Sequence, residues 1–271
     1  MSVRVSFADV ANALAHFAPL ALQESYDNSG LLVGEATTEV SSILVCLDVS
    51  EAVVAEALHL GCNLIVSHHP PIFHALKNLR GDNPTTRVVI AALRAHIGLI
   101  AAHTNLDAAA GGVSCALATK LGLTVERVLH PVAASDNNLN PNTGFGVIGS
   151  LTTPLTEAAF LELVSQRLAQ PFLRHSALCG RPVQRIAVCG GSGFSFYPDA
   201  SALNADAYLT ADLKYHDFQI PDKQLLLVDA GHYETERCAV DLLYQIVSER
   251  FPTFACTEST ADSCPVCYFT R

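Results

Sequence analysis

The sequence is poor in charge. Only 15% of its 271 residues are Asp, Glu, Lys or Arg, while 50% are hydrophobic. That balance argues against disorder and suffices for one large core or two domains. Basic residues are the scarcer sign: 16 Lys and Arg against 26 Asp and Glu leave a net charge of -10. Without a Lys/Arg run, broad nucleic-acid binding, which needs a basic face, is not expected. A site that attracts cations fits the acidic balance. No run of about 18 apolar residues is uninterrupted, so no membrane span is expected. The opening MSVRVSFADVANAL has neither the long apolar stretch nor the small-residue cleavage site of a signal peptide. Nine cysteines do not make a dense disulfide framework. Cys46, Cys62 and Cys189 sit inside apolar runs and read as buried free thiols in a reducing compartment, so a cytoplasmic protein is expected. Cys264 and Cys267 form a lone CxxC, at most half of a zinc site.

What is present is an alternation of apolar runs and capped helical segments. Phe7, Val10, Leu14, Phe17 and Leu20 recur at helical spacing over residues 7–22, with Pro19 weakening the last turn. A polar, turn-rich loop follows at 24–30. Residues 43–47 read as a buried strand. Ser50 caps a helix running to Leu60, and Gly61 stops it. A strand at 63–66 ends at Ser67-His68-His69-Pro70-Pro71. A helix from Pro84 to about residue 95 leads to a strand at 99–102 and to His103-Thr104-Asn105-Leu106-Asp107. This is the pattern of a three-layer α/β sheet. The second half repeats the style, with strands at 145–150, 185–189, 208–210 and 225–228, helices at 157–168 and near Ala200, and a closing helix over 232–249. Residues 133–144, rich in Asn, Pro and Gly, are the best linker. A faint echo between the halves, each a strand, helix and strand before a histidine, suggests duplication or chance similarity of two α/β units.

The chemistry gathers at strand ends. His68 and His69 are adjacent, and although successive strand side chains diverge, the Pro-Pro that follows forces a turn on which both rings can converge. Two surface or packing histidines are the competing reading. Asp107 follows the next strand, and loops after parallel strands collect at one edge of a sheet. His232 and Glu236, four apart at the start of the last helix, share one face. A lone His-x-x-x-Glu is more often a surface pair. Three imidazoles and two carboxylates suit Zn, Mn or Fe(II). Carboxylates can bridge two such ions, which then clamp a water or hydroxide as nucleophile; Asp107 and Glu236 are the candidate bridges. His103 and His216 are candidates for catalytic proton transfer or for packing. Glu24 and Asp27 either line the pocket or cap their loop. Gly190-Gly191-Ser192-Gly193 either cradles a phosphate with its N–H groups or is a tight turn; it lacks the Lys-Ser/Thr of a Walker loop. Lys214 is a weak anion-contact candidate.

The chain resembles the type 2 GTP cyclohydrolase I family of dinuclear metal centre proteins along nearly its whole length. The matching motifs are Glu24-Ser25-Tyr26-Asp27-Asn28-Ser29-Gly30-Leu31-Leu32-Val33-Gly34, Ser67-His68-His69-Pro70-Pro71, His103-Thr104-Asn105-Leu106-Asp107, Thr210-Ala211-Asp212-Leu213-Lys214-Tyr215-His216 and Gly231-His232 with Glu236. Ala211 stands where a glycine is common. The resemblance implies His68, His69, Asp107, His232 and Glu236 as ligands of two divalent metal ions per subunit. It implies two similar, interlinked three-layer α/β domains, residues 1–130 and 131–236, with the C-terminal segment 237–271 completing the first. It further implies a toroidal homohexamer with metal sites facing an internal cavity; the short linker argues against the inserted domain of longer members. The implied activity is metal-dependent hydrolysis, in its specific form GTP ring opening by a metal-bound hydroxide on a nucleotide substrate. A hydrolase of another phosphoester or amide, and a metal-binding scaffold that recruits partner proteins without turnover, stay open at this point.

Overall fold

Helix α1 (Phe7–Phe17) starts where Ser6 and Asp9 cap each other: Ser6 Oγ accepts from Asp9 N at 3.3 Å, and Asp9 Oδ2 accepts from Ser6 N at 2.8 Å. It buries Phe7, Val10 and Leu14. It ends earlier than the expected residue 22, because Ala18 precedes Pro19 and is pushed out of helical geometry, to φ -125 and ψ 80. A single 3-10 turn, Leu20–Leu22, takes up the rest. The computed structural model describes residues 4–132 and 142–269, so most of the linker expected at 133–144 lies outside the described residues.

Strand β1 (Gly30–Val33) follows the polar loop, where the sequence reading places no strand; it is short and lies at a sheet edge, antiparallel to a later strand. Strand β2 (Ser42–Cys46), helix α2 (Glu51–His59), strand β3 (Leu64–Ser67), helix α3 (Pro84–Arg94) and strand β4 (Gly98–Ala101) then alternate as expected. Ser50 Oγ caps α2 by accepting from Val53 N, and Asn83 caps α3 with Pro84 in its first turn. β2, β3 and β4 run parallel, and β3 and β4 are buried at every residue, which is why they read as plain apolar runs. A short helix α4 (Thr104–Ala108) stands where the sequence suggested only a loop.

By its contacts the chain divides into two units: residues up to Leu106 together with those from Ala239 onward, and Asp107–Cys238. The second holds α5 (Val113–Leu121), β5 (Thr124–Pro131), β6 (Gly144–Leu155), α6 (Glu157–Leu168), β7 (Arg174–His175), β8 (Val183–Val188), α7 (Tyr197–Ala202), β9 (Ala207–Thr210), β10 (Leu226–Asp229) and α8 (His232–Glu236). Its sheet runs in the order β5-β6-β8-β9-β10-β7, with β8, β9 and β10 parallel. The sequence reading places its boundary at 130/131; α5 and β5 instead fall in the second unit, since β5 pairs antiparallel with β6 from Thr124↔Ser150 to Pro131↔Gly144. Tyr208, Ile148, Ala187 and Leu227 lie at the centre of its core.

The single helix expected over 232–249 is two, α8 and α9 (Cys238–Arg250), separated at Arg237. The hydroxyl of Thr235 bonds back to Gly231 O at 2.8 Å, a competition with the helix ladder that bends helices. The last strand, β11 (Ala255–Glu258), pairs parallel with β2, so the first unit's sheet has the order β1-β4-β3-β2-β11. Its core packs Leu44, Ile65 and Leu99 against Val53, Val89 and Ala92 of the helices. The fold is thus mixed α/β, with two sheets each flanked by helices. None of the nine cysteines is in a disulfide, and Cys46, Cys62, Cys189 and Cys238 are buried. Among the described residues no helix is long and apolar enough to cross a membrane.

Candidate metal centre

In the first unit three imidazoles meet at the carboxyl edge of the parallel strands. β3 ends at Ser67, so His68 and His69 lie beyond its ladder, and Ser67 Oγ pins the turn by donating to His69 O at 2.8 Å. Their peptide N–H groups donate to Cys46 O and Leu47 O at the end of β2. His103 leaves β4 beside them. The ring centroids are 5.0 Å apart for His68–His69, 5.3 Å for His68–His103 and 5.5 Å for His69–His103. One ring nitrogen from each lies within 4.8 Å of the others.

Each ring is held through Nδ1. His68, fully buried, donates to Ala102 O at 2.8 Å. His69 donates to Asp48 Oδ1 at 2.9 Å, and His103 to Asp27 Oδ1 at 2.8 Å. A carbonyl or carboxylate can only accept, so the proton sits on Nδ1 and Nε2 keeps its lone pair for a metal. Asp27 also accepts from Asn28 N at 2.7 Å, Thr104 N at 3.0 Å and Thr104 Oγ1 at 2.5 Å. Burial pushes its carboxyl up, but the bonds from His103 and Thr104 outweigh it and hold the group well below the usual carboxylate range. Glu24 contributes its backbone N–H to Thr104 Oγ1 at 2.9 Å.

In the second unit two carboxylates and an imidazole meet. Glu236 Oε2 lies 2.8 Å from His232 Nε2, and a carboxylate oxygen of Asp107 lies within 4.8 Å of one from Glu236. Asp212 Oδ2 accepts from His232 Nδ1 at 2.7 Å. Burial pulls the His232 pKa down, but Glu236 and Asp212 outweigh it and raise the pKa to about 9. The buried carboxylate of Asp229 ties the neighbouring loops together, accepting from Leu213 N at 3.0 Å, from Gly231 N at 3.1 Å and from Arg174.

The glycine turn serves Glu236. Gly191 has φ +58, and a Cβ there would stand 2.0 Å from Glu236 Oε1; at Gly190 it would stand 3.2 Å from Glu236 Cγ. Gly191 N donates to Thr235 Oγ1 at 3.0 Å and Gly193 N to Thr210 Oγ1 at 2.9 Å. Of the alternatives open in the sequence, the structure therefore favours the tight turn, here shaped around a carboxylate. His216 is exposed on the 3-10 turn Tyr215–Gln219, edge-on to Tyr215, and joins none of the metal-ligand clusters found among the described residues. Lys214 is exposed as well. Asp48 and Asp212 were not singled out from sequence; each lies just past a strand, the one signal that marks them.

A family model described as Duf34/NIF3 (NGG1p interacting factor 3) matches residues 5–265. The chain belongs to this family. A GTP cyclohydrolase 1 type 2 homolog of Clostridium perfringens is 31% identical over 89% of this chain and 91% of its own, and one of a Nostoc species is 39% identical over 76% and 77%. The crystal structure of a Staphylococcus aureus hypothetical protein superposes with a TM-score of 0.89 at 28% identity, over 97% of this chain and 99% of that one. The NIF3-type fold is thereby shared.

For this family member the donor chemistry fits divalent cations. The anchored imidazoles of the first unit, and in the second a buried Glu236 carboxylate beside His232, are donor types that suit Zn, Mn or Fe(II). A proton on His232 balances two carboxylates, the role a cation takes when it binds. Burial, then the charges of Asp107 and Glu236, raise the pKa of Cys189, which precedes the glycine turn, and Cys189 joins none of the metal-ligand clusters found among the described residues.

Proposed function

We propose that the two donor sets act together, His68 and His69 with Asp107, His232 and Glu236, to hold two divalent cations, and that the protein is a metal-dependent hydrolase. The specific form is GTP cyclohydrolase chemistry, opening of the guanine ring at C8 with release of formate. The observation that carries the metal reading is Glu236: its carboxylate is buried, lies against both His232 and Asp107, and has a glycine turn cut to its shape. The name of the relatives supplies the purine nucleotide.

When bound, the cation pair supplies Lewis acidity for hydrolytic attack. Glu236 and Asp107 hold the charge that fixes it, and Asp212 and Asp48 keep the His232 and His69 rings in the ligating tautomer. His103, backed by the buried Asp27, takes up and returns a proton at Nε2. His216 is the second candidate for that transfer. The resemblance carries a homohexamer with this reading; sedimentation that finds only monomer across a wide concentration range would defeat the assembly.

One observation favours a second reading. The N–H groups of Gly191 and Gly193 are spent on threonine hydroxyls, so this turn offers a triphosphate little. That supports a different phosphoester or amide substrate, or a metal-binding scaffold without turnover. A single assay separates these: the metal-loaded protein and its Glu236→Ala variant with GTP, other nucleotides, phosphoesters and peptides. Formate from GTP, lost in the variant, is the expected result. Turnover of another substrate alone establishes the general hydrolase, and no turnover at all leaves the scaffold.

A further inference from the structure

The C-terminal segment reaches the metal-binding edge by a route the ligand motifs do not reveal. Past β11 the chain leaves the ladder at Ser259, whose N–H donates to Val45 O at 2.8 Å. Glu56 of α2 then gathers the next residues: it accepts from Thr260 N at 2.9 Å, Thr260 Oγ1 at 2.5 Å, Ala261 N at 3.2 Å and the Ser259 hydroxyl. Asp262 N closes back on Ser259 Oγ at 3.1 Å. Ala261 packs against the core of the first unit. So clasped, the segment delivers Asp262 Oδ2 to 2.5 Å from Leu47 N.

Leu47 is the first residue beyond β2, past the last ladder pair, Cys46↔Ser67. Its carbonyl accepts the peptide N–H of His69 at 3.0 Å. The next residue, Asp48, accepts Nδ1 of the His69 ring at 2.9 Å. Leu47 and Asp48 thus carry the contacts that place both the backbone and the ring of His69, and a charged acceptor from a distant part of the chain holds Leu47 from its other side, at the N–H of the Cys46–Leu47 peptide, whose carbonyl accepts from His68 N. A hydrogen bond from an N–H to a carboxylate is strong and directional, and a small displacement of a ligand-orienting group is enough to weaken a metal site.

We propose that Asp262, presented by the Glu56 clasp, is a positioning residue for His69, setting its geometry as a metal donor through Leu47 and Asp48. The proposal rests on the reading of His69 as a ligand. It distinguishes Asp262 from a simple tether of the C-terminus, which would affect stability and leave the metal environment alone.

The test uses the full chain with Co2+ as probe, its affinity measured by chelator competition and its environment by the visible absorption spectrum. Asp262→Ala is expected to weaken binding about tenfold and to alter the spectrum. Asp262→Asn keeps a side-chain oxygen for Leu47 N–H and is expected to restore most of both. Wild-type affinity and spectrum in Asp262→Ala, even with a lowered Tm, would overturn the proposal. Should the alanine variant not fold, hydrogen exchange in the unsubstituted protein decides. Metal loading is expected to slow exchange at the Leu47 amide about tenfold or more, and unchanged exchange overturns the coupling. His69→Ala separates the two levels. If it loses metal while Asp262→Ala does not, only the positioning role fails. If His69→Ala binds as tightly as wild type, the ligand reading itself fails and the positioning role with it.

Discussion

Asp212 Oδ2 lies 2.7 Å from His232 Nδ1, and Asp212 holds that position from a left-handed backbone, φ +58. Asn tolerates this conformation and Ala does not. Asp212→Asn therefore isolates the charge. The variant is expected to bind divalent metal about 10–100-fold more weakly, with the Tm of the metal-free protein little changed. Chelator competition checks it; unchanged affinity would remove Asp212 from the centre.

Gly191→Ala places a methyl 2.0 Å from Glu236 Oε1 at φ +58. Left-handed strain alone costs about 1–2 kcal/mol. Gly122 has φ +79 with nothing within 4 Å of its missing Cβ, so Gly122→Ala carries the strain without the clash. Both variants are expected to lose stability in urea, and only Gly191→Ala to lose metal, as elemental analysis would show. Equal metal content in the two would mean that the turn does not shape the Glu236 pocket.

The purified, metal-supplemented protein is expected to hold about two divalent ions per chain, removable by a chelator. Glu236→Ala removes a carboxylate that lies beside both His232 and Asp107 and is expected to lower occupancy to about one ion or less. His216→Ala, on an exposed turn outside the clusters, is expected to leave it unchanged. Equal occupancy in the two variants would count against Glu236 as a bridge.

Glu56, outside the candidate donor set, holds the C-terminal segment through Ser259, Thr260 and Ala261. Burial raises its pKa, yet the bonds from Ser259, Thr260 and Ala261 outweigh it and lower the value to about 2. A carboxylate depressed in the folded state stabilises above its unfolded value, near 4.5, and that contribution fades as pH falls towards 2. Glu56→Gln is thus expected to be less stable than wild type at neutral pH, by about 1 kcal/mol for a solvent-accessible cluster. The gap should narrow as urea unfolding is followed from pH 7 to pH 3.5. A gap that widens on acidification would contradict the sign.

The residue types at the strand ends were legible from the sequence: His68-His69 before two prolines, Asp107 after the next strand, and His232 with Glu236 at helical spacing. So were the buried parallel strands and the helix starts after Ser50, at Pro84 and at Glu157, because apolar period and helix-start residues are written within a few neighbouring residues. Several features escaped the sequence reading, among them α4, α5 and β5. β1 has only four residues at a sheet edge, and no Gly or Pro marks the break at Arg237, near which the Thr235 hydroxyl bonds back to Gly231 O.

The tertiary structure decided who holds each donor and what the glycines are for. His103 meets Asp27 across 76 residues, His232 meets Asp212 across 20, and Leu47 meets Asp262 across 215. Composition, period and spacing describe how the chain folds onto itself locally, and they carry no record of which of 26 acidic residues ends beside which ring. That pairing is settled only when strands take their register and the loops beyond them converge. The sequence alone therefore determined the class of fold and the chemistry of the candidate donors, whereas their orientation, and the shaping of Gly191 around Glu236, came from packing between segments far apart in the chain.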